Sequence, residues 1–337
     1  MKTRIARLVG IALLACTPAA TATPPSSSTS KSVLNSPGHL VQSRTETIMA
    51  TRTIIATSLS TWADANFVGG TKPAFDDTVI VPASSTVHLS GSTLDRSADN
   101  GSEGGADVFG LDLDTLKLLV DSQINIGNVS NPLQCIVKTL LEHRGSGSLH
   151  FKSTRDTPGL LSTGLIQVDS PNAIDALVLS GDVAVARIEL VSGGIQHTTV
   201  PVTLLIMHPK GGAPCYWLSN DGTLTPTTVY LNGGVFEMYG DSSGSSAIYM
   251  GGGELIVRAG TEAGNGPTLV QWGGYTRWNG GSSPAVPSAV TMFRGTIDFT
   301  LLPGATTSIA QISTFRHTRN VSIIGAYSAT TEEIIGE

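Results

Sequence analysis

Leu231-Asn232-Gly233-Gly234-Val235-Phe236 and, soon after it, Met250-Gly251-Gly252-Gly253-Glu254-Leu255-Ile256-Val257 decide the fold class of this chain. Each runs from apolar residues through a glycine turn into apolar residues again. In an extended strand successive side chains point to opposite faces, so alternation about the turn sends one residue of each pair inward. Glycine supplies the positive φ that a tight corner needs. The pattern returns at Leu179-Ser180-Gly181-Asp182-Val183-Ala184-Val185 and at Phe293-Arg294-Gly295-Thr296-Ile297-Asp298-Phe299, with a partial copy at Gly147-Ser148-Leu149-His150-Phe151. Spacing between copies is uneven, which suits stacked coils joined by loops of variable length. The expectation is an all-β chain folded as a right-handed parallel β-helix (a β-solenoid) with irregular loops. A β-sandwich or jelly roll, with similar strands and turns, is the alternative.

Outward from these corners, short β-branched runs are bounded by Gly, Asn, Asp, Ser and Pro. They include Thr78 to Val81, Val87 to Leu89, Leu116 to Val120, Ile188 to Val191, Val202 to Met207 and Val321 to Ile324. Helical periodicity is thin: Asp112 to Val120 and Pro132 to Glu142 are each compatible with a short helix. The hydrophobic fraction of 40% supplies a sizeable core, and recurrent Val, Ile and Leu exclude a disordered chain. A net charge of −6, with no basic stripe, argues against nucleic-acid binding.

Residues 1–22 look like an export leader, with Lys2, Arg4 and Arg7 before a short apolar run. Cleavage after Ala22 is one reading. Cys16 in Leu13-Leu14-Ala15-Cys16 is a second, as a lipid-bearing terminus. A third is translation from Met49, because Thr45-Glu46 back-translates to a ribosome-binding tract. Residues 23–52 read as a Ser/Thr/Pro-rich linker, 53–330 as the solenoid domain and 331–337 as an acidic tail. The leader's apolar run is too short to cross a bilayer, and no later run reaches spanning length, so no transmembrane span is expected. Cys135 and Cys215 read as separate buried thiols, pairing being open to them only in an exported chain.

The densest local signature is Trp62-Ala63-Asp64-Ala65-Asn66-Phe67-Val68-Gly69-Gly70, then Lys72-Pro73, Asp76-Asp77, Val79-Ile80-Val81-Pro82 and Val87-His88-Leu89. Trp62 and Phe67 are suited to cover the open end of a β-stack. This block resembles the opening rung of β-helical surface proteins of bacteria and their phages. Met49-Ala50-Thr51-Arg52-Thr53 is similar to the start of β-helical phage virion proteins. The resemblance spans most of Met49 to Gly325. It implies a non-enzymatic structural or adhesive role, as a tail- or capsid-associated virion component, and carries over no catalytic residues. The alternatives are a secreted or lipid-anchored bacterial adhesin, outside the cell or on its outer membrane, and a glycan-degrading β-helix enzyme. Implied partners are other virion or surface proteins and glycans, with a homo-trimer as one assembly.

Gly240-Asp241-Ser242-Ser243-Gly244 matches a Gly-x-Ser-x-Gly string but sits between strands, and so reads as a surface turn rather than a nucleophile elbow. Asp76 and Asp77 are sequence neighbours and point to opposite faces, whereas Asp112 and Asp114 share one; these pairs and Glu332-Glu333 read as solvated carboxylates. Seven scattered histidines, among them His143 and His150, lack metal-ligand spacing, so no metal or cofactor is expected. The stretch Trp272-Gly273-Gly274-Tyr275-Thr276-Arg277-Trp278 reads as a Gly-rich loop whose Trp272, Tyr275, Arg277 and Trp278 contact a glycan or partner, the rival being rings folded back on the core.

Overall fold

A computed structural model describes residues 49–55, 67–71, 73, 76–82, 88–89, 113–120, 122–123, 125–129, 132–154, 162–219, 226–239, 246–258, 265–279, 286–301, 308–315, 320–325 and 327–335. They form a parallel β-solenoid whose strand segments stack on two faces. Numbered along the chain, the first face stacks β1 (Thr51–Thr53), β2 (Thr78–Val81), β4 (Leu113–Leu118), β7 (Val137–His143) and β9 (Thr163–Asp169). It continues through the first parts of β11 (Val185–His197), β14 (Thr228–Tyr239) and β15 (Ala247–Arg258), with β12 (Val202–Met207) between β11 and β14. Strands β16 (Asn265–Gln271), β18 (Val286–Met292), β20 (Ser308–Phe315) and β22 (Ser328–Ile335) complete it. The second face holds β3 (His88–Leu89), β5 (Asn125–Ile126), β6 (Leu133–Cys135), β8 (Leu149–Ser153), β10 (Leu177–Gly181) and β13 (Cys215–Ser219). The later parts of β11, β14 and β15 lie there too, with β17 (Tyr275–Asn279), β19 (Gly295–Asp298) and β21 (Val321–Ile324). Every named strand pairs in parallel; the antiparallel contact among the described residues is the single bridge Ile54–Phe67. That excludes the sandwich and jelly roll, whose sheets are antiparallel.

Register carries identical geometry from coil to coil. His143, Val168, Leu190, Met207, Leu231, Met250, Gln271 and Met292 are successive partners in one inward column, and all are buried. On the second face Ile195, Trp217, Phe236, Leu255, Thr276 and Ile297 do the same. One coil buries its inner side chains only against the next, so stacking is the source of the core.

Where the first face turns into the second, Gly234, Gly253, Gly274 and Gly295 have φ of 78°, 83°, 81° and 103° and recur every 19 to 21 residues. A Cβ at Gly253 would lie 2.6 Å from the Gly234 carbonyl oxygen, one at Gly274 2.5 Å from that of Gly253, and one at Gly295 2.6 Å from that of Gly274. These glycines are required twice, by backbone conformation and by the coil beneath. Gly274 belongs to this column, so the stretch expected as a protruding loop is a tight corner. Gly181 (φ 127°) ends β10 on the second face and turns at the opposite corner. Taking it for a copy of the same corner, and leaving Gly274 out of the series, made the spacing look uneven.

Among the described residues there is no helix. Both segments compatible with helices are strands, β4 and the pair β6 and β7. A register shift between Leu113 and Thr115 adds one residue to β7. Buried positions therefore fall at Val137, Leu141 and His143, a gap of four that imitates helical spacing. At the other end β22 pairs with β20 from Ser328 to Ile335, so residues set apart as an acidic tail extend the last rung.

The opening rung explains its own sequence. Phe67 is buried against the stack together with Ile54; Trp62 lies outside the described residues. Asp77, buried, accepts hydrogen bonds from the Ala50 N–H at 2.8 Å and the Arg52 Nε–H at 3.0 Å. Asp76, at φ 64°, instead pairs with Lys138. Cys135 and Cys215 are buried thiols with no disulfide between them, and burial pushes the Cys215 thiol up to about 12.

His143 and His197 sit fully inside. Their Nε2 atoms donate to the carbonyls of Gly147 at 3.0 Å and Val200 at 2.7 Å, while each Nδ1 is buried with no hydrogen-bond partner. Burial lowers both to about 4.

Two outcomes are expected. Gly274→Ala should lose about 2–4 kcal/mol in urea unfolding, since strain and backbone clash add. Gly211→Ala, at φ 63° with open space around its Cβ, should lose about 1 kcal/mol; equal losses would contradict the column. As pH falls from 6.5 towards 4 the unfolded histidines bind protons that the folded ones refuse. Stability present above pH 6.5 is therefore lost across that window, by up to about 1.4 kcal/mol per pH unit for each histidine. Unfolding midpoints between pH 6.5 and 5 should flatten in the His143→Gln/His197→Gln variant.

Candidate functional site

Outward residues follow the same register as the core. Lys117, Glu142, Gln167, Glu189, Ile206, Tyr230 and Tyr249 are successive partners along the first face. Two residues further on, at the corner, Arg144 and Asp169 start a parallel column that ends in Trp272, Phe293 and Phe315. Together they make one stripe along the solenoid, polar in its early coils and aromatic in its later ones.

The aromatic half is a ladder. Ring centroids of Tyr230–Tyr249, Tyr249–Trp272, Trp272–Phe293 and Phe293–Phe315 are 5.1, 6.2, 5.5 and 4.1 Å apart, with interplanar angles of 16°, 17°, 13° and 15°. Strands in a sheet repeat at about 4.8 Å, close to the stacking distance of rings, so one aromatic per coil stacks without adjustment. Tyr230 is 42% and Trp272 44% exposed. Trp272 has a neighbouring ring over each face, and what it offers to solvent is an edge.

The residues expected to meet a glycan or partner are therefore separated. Trp272 lies outside, before the corner. Trp278 lies inside at 1% exposure, with its ring 5.1 Å from Phe299. Five residues lie between them, but a corner intervenes and strand alternation sends Trp278 inward. Tyr275 and Arg277 are outward on the second face. Tyr275 donates to Asp298 at 2.5 Å, and this bond raises the phenol's pKa; Arg277 Nε lies 2.9 Å from Glu254. Asp298 is lowered chiefly by the Thr300 hydroxyl, then by Tyr275. A stacked sugar needs an open ring face, which neither Trp272 nor Trp278 presents.

The polar half forms a pocket lined by Glu142, Arg144, Gln167 and Asp169, from the ends of β7 and β9. Arg144 stands between two carboxylates on adjacent coils, 3.6 Å from Glu142 and 3.8 Å from Asp169. Lys117 lies 3.8 Å from the other oxygen of Glu142. Gln167 donates to Glu189 at 3.4 Å, and Glu189 also pairs with Arg187. Ser192 donates to Asp169 at 2.8 Å. Sequence reading passed over this cluster because its members lie 23 to 27 residues apart across β7 and β9 and join only through register.

Other candidates resolve separately. Asp114 accepts from Thr115 and Thr139, and Asp112 lies outside the described residues. His143 is buried at the end of β7 and His150 is half-buried on β8, and among the described residues no group of three His, Cys, Asp or Glu is placed to hold a metal. Ser242, and the side chains of Glu332 and Glu333, lie outside the described residues. No helix among the described residues is long and apolar enough to cross a membrane. Compared with known proteins, the chain matches no family model, no curated protein and no solved structure.

Inside and outside predict different costs. Trp278→Ala should destabilise by about 3–5 kcal/mol, as for a buried aromatic. Trp272→Ala, losing two ring pairs, should cost about 1–2 kcal/mol. Urea unfolding of the two variants checks the order.

Proposed function

We propose that the protein is a structural and adhesive β-solenoid, most specifically a tail- or capsid-associated component of a phage virion. The observation that carries the reading is the stripe: a body of in-register coils that holds one surface of polar and aromatic side chains at fixed intervals. A stacked parallel solenoid resists bending because each coil is tied to the next by a full ladder of backbone hydrogen bonds. Side chains on its face are positioned by that ladder rather than by loops, which suits repeated contact with a partner. The exposed ring edges of Tyr230 and Trp272 fit the apolar contacts of a protein partner, since aromatic residues are enriched in interface cores.

The virion assignment is supported by the likeness of the opening residues to phage β-helical proteins. Arg52, in the Met-Ala-Thr-Arg-Thr string, bonds Asp77 of the Asp-Asp string, so the two halves of that likeness form one physical unit. The leader-like residues 1–22 favour a second reading, a secreted or lipid-anchored adhesin with the same stripe as its contact surface.

Particle purification separates the two. Virions banded from the producing strain should yield peptides of this chain at constant stoichiometry, with the first peptide beginning at or after Met49. Recovery only from the outer membrane or culture fluid, with a terminus at Cys16 or just after Ala22, would replace the virion reading with the adhesin.

A further inference from the structure

The polar pocket offers a ligand more than the aromatic ladder does. Its groups are close without satisfying one another. Hydrogen bonds between N–H and O fall at about 2.7–3.2 Å, whereas Arg144 stands 3.6 and 3.8 Å from its carboxylates and Lys117 stands 3.8 Å from Glu142. Other ion pairs are closed by hydrogen bonds: Arg52 donates to Asp77 at 3.0 Å, and Arg258 grips Glu237 with both Nε and Nη2. Glu142 is well covered, its side chain 17% exposed, yet both of its oxygens meet cations only at these longer distances. Asp169 is held from one side by Ser192, which fixes the carboxylate and leaves its second oxygen facing Arg144.

Charge selects the class of occupant. Glu142 and Asp169 are balanced by Lys117 and Arg144, so the cluster carries no net charge to draw in a free anion or cation. A guanidinium between those carboxylates repels a metal cation and occupies the position that it would take. Hydroxyl groups both donate and accept, and so match carboxylate oxygens, guanidinium N–H and the Gln167 amide together. Adjacent coils present these groups side by side about 4.8 Å apart, as a short row. We infer that the pocket formed by Glu142, Arg144, Gln167 and Asp169 binds one unit of an uncharged saccharide through its hydroxyls. The inference rests on the adhesive reading and assigns the glycan contact to the polar half of the stripe, away from Trp272.

The full chain is applied to an array of neutral and acidic oligosaccharides, and the best neutral ligand is then titrated by calorimetry. Neutral oligosaccharides should bind. Glu142→Gln/Asp169→Asn should weaken them about tenfold or more, because two charge-assisted hydrogen bonds are lost. Arg144→Met, at an exposed position, should act in the same direction and serves if the double variant misfolds. Val129→Ala, at an exposed position just after β5, should leave affinity unchanged. Neutral binding untouched by both pocket variants overturns the inference. So does an array with no neutral ligand, and so does calorimetric binding of calcium chloride or glycine in place of a saccharide. A chain that bands with virions yet binds no neutral saccharide removes the pocket and keeps the virion reading; saccharide binding by a chain absent from virions does the reverse.

Discussion

Along one line of corners in this protein the backbone passes so close to the coil below that a side chain has no room. The column Gly234, Gly253, Gly274 and Gly295 is where that constraint is strictest, with a carbonyl oxygen of the preceding coil about where a Cβ would stand. Close approach at the corner keeps adjacent strands in register, and register aligns the inward residues into unbroken columns. The core follows from that alignment, and so does the surface. Tyr230 stacks on Tyr249, and Glu142 stands beside Gln167, for the same reason that Leu231 lies over Met250.

Polar groups inside the stack serve that geometry. Gln271, fully buried, donates from Nε2 to the carbonyls of Gly274 at 3.0 Å and Thr296 at 3.2 Å, and accepts from the Thr276 hydroxyl at 3.2 Å. One side chain thus ties its own corner to the next coil, and a buried amide so satisfied costs little. The two interior histidines are less complete, each leaving Nδ1 without a partner, and they make the core sensitive to acid. At the start of the stack Asp77 fastens β1 through the Ala50 amide and the Arg52 side chain. There a buried charge is matched by a partner and a backbone donor.

Surface chemistry divides along the axis rather than around it. Early coils carry slack ion pairs with room for hydroxyl groups between them; later coils carry rings that consume one another's faces. The same register builds both halves, and side-chain type alone decides which is closed. Aromatic residues stack at the coil spacing unaided, whereas Arg144 must divide itself between two carboxylates and reaches neither fully.

From the sequence alone, glycine turns between alternating apolar residues determined an all-β chain with tight corners, and Thr78 to Val81, Val202 to Met207 and Val321 to Ile324 were legible as strands to the residue. Period-two alternation is a local property, readable without knowing what lies opposite. Which glycines share a corner was not local, so Gly181 looked like a member of the column and Gly274 like a loop. A register shift beside Leu113 gave β7 a helical spacing that only its partner strand explains. The site divided along the same line. Trp272 was legible as an exposed ring, but its stacked neighbours, the interior place of Trp278 and the meeting of Glu142 with Asp169 were set by which residues one coil lays upon the next.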